Sequence, residues 1–287
     1  MSKEQEVVCI DNLFSGKKFN LKKWENHPNF SFIEHDITNP ISLNVDRIWH
    51  FSCPASSLFY KKDSLKTLNV CFNGTLNLLE LARENNAKFL LSSSSEVYGK
   101  AEKYPQNESY NGSVNPFGPR SCYSEGKRIS ESLCYAYKEQ YGLNISIARL
   151  FNVFGPRMSF DDGRVITNFI GNALQKKNIC INGNGKQTRS FCFINDIVEG
   201  LVKLMDSNYS LPVNLGNPKE EYAIIDVANI ILKILDLDLP FEFNSFITDE
   251  PLRRSPDISL ARKILLWEPK KSFKYGLEKT IKEFKFN

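Results

Sequence analysis

The chain has 287 residues, of which 41% are hydrophobic and 24% are charged, and these proportions are typical of a soluble globular protein. Its 37 basic and 33 acidic residues leave a net charge of +4, which argues against nucleic acid as the main partner. No apolar run is long enough to span a bilayer, and the first residues do not resemble a signal peptide. We therefore expect a cytoplasmic protein with no membrane partner.

The seven cysteines are scattered without a C-x-x-C pair, and the three histidines lack the spacing of metal ligands. We expect reduced, mostly buried thiols and no metal site. Cys71 and Cys122 could be interpreted as nucleophiles, but neither has a histidine nearby in the sequence. We therefore expect both side chains to be buried packing residues and not nucleophiles.

Short β-branched or alternating runs in the first half predict strands, and two longer segments with helical periodicity predict helices. The predicted strands are residues 6–10, 30–35, 47–51, 88–91 and 144–149, and the predicted helices are residues 65–85 and 123–141. This order is typical of an α/β fold with a Rossmann-like, doubly wound parallel sheet. Chemistry in such sheets lies outside the carboxyl ends of the strands, where Asp11, Asp36, Ser52 and residues 94–96 fall.

The second half has a mixed pattern and no second nucleotide-binding motif. We predict helices at residues 165–177, 196–206, 224–235 and 273–284, and strands at residues 178–181, 189–194 and 212–216. Asp196 is expected to cap the helix that it begins. We expect two domains: an incomplete dinucleotide-binding domain at residues 1–162, and a smaller mixed α/β substrate-binding lobe at residues 163–287.

Tyr123 and Lys127 lie four residues apart, so both fall on one face of the predicted helix 123–141. An ammonium beside a phenol stabilises the phenolate, and we expect the pKa of Tyr123 to fall from about 10 toward neutrality. A bare Y-x-x-x-K is more often a surface pair than a site. Here the segment SSSSEVYG, which includes Glu96, ends a predicted strand upstream of the pair, and this context favours a catalytic base.

Several stretches together resemble the extended short-chain dehydrogenase/reductase superfamily, and within it the UDP-glucuronate decarboxylases. They are SSSSEVYG, NPFGPRSCYSEGKR, ARLFNVFGPRM, DDGRVITNFI, GKQTRSFCFINDIVEGL, PVNLGNP and RRSPDI, and the similarity covers nearly the whole chain. The pairing of Ser95 with Glu96 is that of the decarboxylases. Similar dehydratases have Asp-Glu at this place, and similar 4-epimerases usually have a small residue instead of Glu96. Those two activities remain alternatives.

The resemblance implies that NAD takes a hydride from C4 of UDP-glucuronate, CO2 leaves the 4-keto acid, and the hydride returns to give UDP-xylose. Tyr123 would be the base, Lys127 would lower its pKa, and Ser94 would share its hydrogen bond. Glu96, beside Ser95, would assist CO2 loss or enolate protonation. The implied NAD-binding residues are Asp11, Asn12, Ser15, Asp36, Ile37, Phe51, Tyr123 and Lys127. The implied substrate-binding residues are Asn77, Asn152, Arg164, Arg189 and Arg254. The helices 65–85 and 123–141 match those that form a homodimer interface in relatives.

One family feature is absent from the printed sequence. No G-x-G-x-x-G occurs, although this motif and its strand normally precede the acidic strand by about 20–30 residues. We therefore expect the 287-residue chain to bind NAD weakly or not at all. Two interpretations stay open: an active decarboxylase whose start is missing from this sequence, or a non-catalytic homologue that binds a sugar nucleotide.

Overall fold

The protein is described by a computed structural model that covers residues 5–160, 162–245 and 250–285. Its strands are β1 (Val7–Asp11), β2 (Phe30–Glu34), β3 (Arg47–His50), β4 (Lys88–Ser94), β5 (Ile145–Leu150), β6 (Val153–Phe154), β7 (Ile179–Asn182), β8 (Thr188–Ser190), β9 (Cys192–Phe193), β10 (Pro212–Leu215), β11 (Glu221–Ala223), β12 (Phe241–Asn244) and β13 (Arg253–Arg254). Its α-helices are α1 (Ser57–Lys62), α2 (Ser64–Asn69), α3 (Thr75–Asn85), α4 (Ser121–Tyr141), α5 (Val165–Leu174), α6 (Ile194–Asp206), α7 (Ile224–Leu235), α8 (Ser259–Leu265) and α9 (Phe273–Lys285).

The main sheet has the strand order β10-β5-β4-β3, and all its neighbours are parallel. Ser94 is paired with Leu150, and Leu150 with Leu215, so β4, β5 and β10 end at the same edge. This register sets the serine-rich end of β4 beside the segment that follows β5. The sheet thereby presents two polar segments to one cavity, as the strand-end rule predicts.

Helices cover both faces of this sheet, because alternate strand residues point to opposite sides. Phe89 and Leu91 pack with α3 and α4, whereas Leu90 and Ala148 pack with α6 and α8. The predicted helix 65–85 is α2 and α3 joined by a π-helical turn, Val70–Gly74. α4 runs for 21 residues and ends at Gly142, whose φ of 66° suits a left-handed helix end.

β1 and β2 form a separate parallel pair. In dinucleotide-binding sheets the strand order is 3-2-1-4-5-6, so one strand normally lies between the counterparts of β1 and β3. Within the described residues no strand pairs with the outer edge of β3, and β1 pairs only with β2. Val7 and Val8 are more than one-third exposed. Both edges therefore present unpaired backbone groups that suit one further parallel strand.

The second half has its own apolar core, formed by α5, α7, α9 and the strands between them. Two predictions in this half are wrong. The single strand expected at residues 189–194 is divided between β8, β9 and the start of α6. Asp196 does not cap α6, because Phe193 occupies that position and the Asp196 carboxylate accepts the backbone N–H groups of Lys270 and Lys271 instead. No described helix is both long enough and apolar enough to cross a membrane.

Candidate active site

An open cavity of about 630 Å³ lies at the carboxyl ends of β4 and β5, which is a volume typical of small-molecule sites. Its walls come from both halves of the chain. The residues that matter for its chemistry are Tyr60, Ser94, Ser95, Glu96, Arg120, Tyr123, Asn152, Arg164, Arg189, Glu250 and Arg254.

Tyr123 and Lys127 are both buried on the inner face of α4, as their spacing predicts. Lys127 donates from Nζ to the carbonyl oxygen of Ser92 at 2.8 Å, and its Nζ lies 5.9 Å from the centre of the Tyr123 ring. Burial lowers the pKa of Lys127, but the nearby Cys53 and Tyr123 outweigh it and raise the pKa to about 12. The ammonium is therefore charged at neutral pH.

The expected fall in the pKa of Tyr123 is wrong for this structure. Burial raises the pKa to about 12, and the charge of Lys127 and a hydrogen bond with Ser94 offset burial only in part. The phenol is therefore protonated at neutral pH when no ligand is bound. Lowering its pKa further requires more positive charge in the cavity.

Tyr60 was not predicted as a site residue, and neither was the short helix α1 that contains it. Its ring stacks on Tyr123 with centroids 5.1 Å apart and an angle of 9° between the planes. The Tyr60 hydroxyl is buried and has no hydrogen-bond partner within the described residues. A buried hydroxyl without a partner costs free energy, so it marks a place for a ligand atom or a water molecule.

Glu96 is held by two arginines that contact the same oxygen. Arg120 donates to Glu96 Oε1 at 2.6 Å, and Arg254 donates to the same atom. Burial raises the pKa of Glu96, but Arg254 and Arg120 outweigh it and lower the pKa to about 2. The carboxylate is thus ionised at neutral pH in the ligand-free protein.

A third arginine, Arg189, lies beside Arg254 in the cavity wall. It donates to the carbonyl oxygen of Thr188 and to Glu250 at 3.0 Å. Burial and the charge of Arg254 lower the pKa of Arg189 to about 10, so the positive charges here are not fully neutralised. Nη2 of Arg254 is buried without a hydrogen-bond partner in the described part of the chain. Such a donor suits a carboxylate or phosphate oxygen.

The other expected substrate residues occupy different places. Asn152 lines the cavity and donates to the carbonyl oxygen of Ser190. Arg164 also lines it, at the start of α5, and is paired with Asp162 at 2.9 Å. Asn77 is not in the cavity wall. It donates to the carbonyl oxygen of Ile37 at 2.9 Å, which associates it with the strand ends expected to bind NAD.

The residues expected to bind NAD lie at the carboxyl ends of β1, β2 and β3. Asn12 donates to Asp36 at 2.8 Å, and the Asp11 carboxylate accepts the backbone N–H of Leu13. A Cβ on Gly16 would lie 3.0 Å from the Asp11 carboxylate, so glycine keeps this carboxylate uncovered. Ile37 is buried beside Asp36, Ser15 lines the cavity and Phe51 is half exposed.

These residues fit the sugar and base portions of NAD, because carboxylates at strand ends bind ribose hydroxyls. Within the described residues no glycine-rich turn leads into a helix at the edge between β1 and β3, where the pyrophosphate would lie. The described residues therefore provide more of the contacts that NAD needs near Tyr123 and Lys127 than around its pyrophosphate.

Comparisons with known proteins agree with this geometry. A family model described as the NAD dependent epimerase/dehydratase family matches residues 1–216. UDP-glucuronic acid decarboxylase 3 of Arabidopsis thaliana is 46% identical over 284 residues, which are 99% of this chain and 83% of that protein. UDP-glucuronic acid decarboxylase 1 of Danio rerio is 48% identical over 279 residues, which are 97% of this chain and 66% of that protein.

Solved structures with the same fold include two epimerases. UDP-N-acetylglucosamine 4-epimerase from Methanobrevibacter ruminantium M1 has a TM-score of 0.90 at 29% identity, covering 98% of this chain and 91% of that one. UDP-glucuronic acid 4-epimerase from Bacillus cereus, in complex with UDP-glucuronic acid and NAD, has a TM-score of 0.87 at 29% identity and the same coverage. The predicted Rossmann-like fold and superfamily are confirmed, and the chain belongs to the NAD dependent epimerase/dehydratase family.

Proposed function

We propose that this protein is an NAD-dependent decarboxylase that converts UDP-glucuronate to UDP-xylose through a 4-keto intermediate. Relatives 45–48% identical to it are named UDP-glucuronic acid decarboxylases. The observation on which the proposal mainly depends is Arg254, which is held by Glu96 and has one buried donor with no partner among the residues that the structure describes. That donor suits the carboxylate that the reaction removes.

The first step is oxidation at C4 of the sugar. Tyr123 takes the proton of the C4 hydroxyl, Ser94 shares this hydrogen bond, and Lys127 stabilises the phenolate. NAD, when bound, accepts the hydride from C4 and later returns it. Because burial raises the pKa of Tyr123, the base needs the positive charge of Lys127 and of the oxidised nicotinamide ring, when NAD is bound, to act near neutral pH.

The second step is loss of CO2 from the 4-keto acid. The bond between C5 and the carboxyl carbon breaks, and its electrons move into the 4-keto oxygen to form an enolate. The enolate takes a proton from solvent at C5, and Tyr123 returns its proton to the C4 oxygen when the hydride returns to C4. Arg254 binds the carboxylate of the substrate before the bond breaks. Glu96 holds the guanidinium of Arg254 and is itself held by Arg120, so Glu96 acts by positioning Arg254. Ser95 stands where a dehydratase has the Asp that protonates its leaving group.

The remaining assignments belong to the same proposal. Residues 1–162 bind NAD, with Asp11, Asn12, Ser15, Asp36, Ile37 and Phe51 as its contacts, and residues 163–287 bind the nucleotide sugar. Arg164 and Arg189 bind the diphosphate and ribose, and Asn152 contacts the sugar. Asn77 supports the NAD site through Ile37. The protein works in the cytoplasm.

The proposal includes a homodimer formed through α2, α3 and α4. Helix α2, the π-helical turn that follows it and α4 present large apolar side chains to solvent: Leu65, Leu68, Phe72, Ile129 and Tyr135. Exposed apolar patches of this kind mark interaction sites. Replacing Phe72 and Leu65 together by Glu should convert a dimer to a monomer in sedimentation analysis, whereas a wild-type chain that sediments as a monomer would contradict this part.

The decisive assay incubates the protein with UDP-glucuronate and NAD+ and follows the products by mass spectrometry. Loss of the mass of CO2, with formation of UDP-xylose, is the expected result. The second candidate is 4-epimerisation, which the Bacillus cereus neighbour bound to UDP-glucuronic acid supports. Formation of UDP-galacturonate, without a change in mass, would exclude decarboxylation.

A further inference from the structure

Two cysteines meet beside the Tyr123–Lys127 pair. Cys53 lies in the loop after β3, Cys71 lies in the π-helical turn between α2 and α3, and their Sγ atoms are 3.3 Å apart. Both are free thiols. Because a disulfide bond measures about 2.05 Å, the two sulfurs would need to approach by only about 1.2 Å to form one.

The surroundings of the pair favour oxidation. Cys53 is only partly buried and packs against Tyr60 and Tyr123, which are both residues of the cavity wall. The hydrogen bond from Cys53 lowers the pKa of Cys71 to about 7, burial opposes this shift, and the charge of Lys127 supports it. The same hydrogen bond, together with burial, raises the pKa of Cys53, so Cys71 is the member of the pair whose thiolate is favoured. The thiolate is the reactive form of cysteine.

We propose that Cys53 and Cys71 are an oxidisable dithiol, which a hydroperoxide converts to a disulfide beside Tyr123 and Lys127. One thiolate attacks a peroxide oxygen, the O–O bond breaks, hydroxide leaves and a sulfenic acid forms. The other thiol then attacks the sulfenic sulfur, the S–S bond forms and water leaves. The dithiol loses two electrons, the peroxide gains them, and both thiol protons end in water.

The disulfide would change the site in two ways. It would link the loop containing Cys53 covalently to the π-helical turn containing Cys71, which packs on α4. The same loop continues into α1 and Tyr60. Cys71 lies against α4 so closely that a Cβ on Gly126 would come within 2.9 Å of its sulfur. Closing the bond therefore shifts groups next to Lys127 and alters the Tyr60–Tyr123 stack. We expect a reversible loss of activity, and this consequence rests on the proposed function, whereas disulfide formation does not.

The first test is chemical. The purified chain is treated with hydrogen peroxide, the remaining thiols are blocked, and peptides are mapped without reduction. A cross-linked Cys53–Cys71 peptide is expected, and it should be absent from Cys53→Ser and Cys71→Ser but present in Cys180→Ser, which changes an exposed cysteine on β7. Absence of this peptide, or a cross-link from Cys53 to the nearby Cys122, would overturn the proposal.

The second test is functional. Peroxide should lower the decarboxylation rate of the wild-type chain about tenfold or more, since small displacements of catalytic groups have effects of this size, and dithiothreitol should restore it. Cys71→Ser should keep its rate in peroxide. If the cross-link forms and the rate does not change, the coupling to the site is wrong. If untreated protein never decarboxylates but still forms the cross-link, the proposed function fails and the dithiol stands.

Discussion

Arg254 donates to Glu96 across 158 residues of sequence, and this contact joins the second half of the chain to the end of β4. Arg120 donates to the same carboxylate oxygen. The side chains of all three are at least four-fifths buried, so each charge depends on the others for compensation. The group connects the two halves and holds Arg254 at the cavity wall, where its Nη2 has no hydrogen-bond partner among the described residues.

Replacing Glu96 by Gln should weaken both the connection between the two halves and the hold on Arg254. The change leaves Arg120 and Arg254 buried without their counter-charge, which typically costs about 3 kcal/mol or more in the free energy of unfolding. We expect thermal or denaturant unfolding to show this loss, and kcat/KM for UDP-glucuronate to fall with it. Glu102→Gln is the matched control, because Glu102 is exposed. Its free energy of unfolding should be within about 0.5 kcal/mol of that of wild type.

The same carboxylate predicts a pH dependence. Because the arginines lower the pKa of Glu96 to about 2 from an ordinary value of 4.5, the folded state holds the ionised form. The stabilisation is complete above pH 4.5 and is lost as the pH falls from 4.5 toward 2. The difference in unfolding free energy between wild type and Glu96→Gln should therefore shrink over this interval. A difference that stays constant from pH 7 to pH 3 would show that Glu96 is not held as a charged group.

Replacing Tyr123 by Phe should remove catalysis and leave binding intact. The ring stack on Tyr60 is retained, but the proton acceptor is gone, and we expect kcat to fall by about 10²–10⁴. The measurement is the initial rate of UDP-xylose formation, together with a calorimetric titration of UDP. Tyr135→Phe, on the exposed side of the same helix, should behave as wild type. A Tyr123→Phe variant with more than one-tenth of the wild-type rate would exclude the phenol as the base.

Local sequence patterns were enough to predict the strand and the helix that position this site. The strand that ends in the serines and the helix with Tyr123 and Lys127 are determined by hydrophobic runs and by the i, i+4 spacing, and both are in the structure. The electrostatics could not be obtained in this way. The pKa of Tyr123 depends on how deeply α4 is buried, and that follows from the packing of distant segments.

Contacts between distant segments were the other part that the sequence could not supply. Tyr60 reaches Tyr123 from a six-residue helix whose sequence, SLFYKK, has no pattern that marks a site. Cys71 was considered for a histidine neighbour but not for contact with Cys53, because nothing in their spacing predicts that the loop after β3 meets the π-helical turn. Asp196 matched a helix-cap pattern but bonds the backbone near Lys270 instead.

Replacing Tyr60 by Phe tests whether its hydroxyl binds a ligand. The hydroxyl has no partner among the described residues, and since an unpaired buried polar group costs about 1–3 kcal/mol, removing it should not destabilise the protein. The KM for UDP-glucuronate should rise. Tyr98→Phe is the contrasting control, because the Tyr98 hydroxyl bonds Asn214 and Arg149 and its loss should lower the melting temperature. A Tyr60→Phe variant that is less stable with an unchanged KM would assign the hydroxyl a structural role.

Among the described residues no strand pairs with the outer edges of β1 and β3, and this predicts how the 287-residue polypeptide binds NAD. Pyrophosphate binding in this fold relies on backbone N–H groups at the start of a helix, which a glycine-rich turn after the central strand provides. We expect weak NAD+ binding by the polypeptide of residues 1–287, measured by calorimetric titration. A micromolar dissociation constant would contradict this prediction.

The complementary experiment supplies the strand. A designed strand–turn–helix unit with the glycine-rich fingerprint is fused ahead of the chain, so that its strand can pair with both β1 and β3. We expect the fusion to bind NAD+ about 100-fold more tightly and to unfold at a higher temperature, because it pairs two exposed edges and adds a cradle for the pyrophosphate. A control fusion in which valines replace the glycines should gain stability without the gain in affinity. Equal affinities for the two fusions would show that the gap between β1 and β3 is not the place where the pyrophosphate binds.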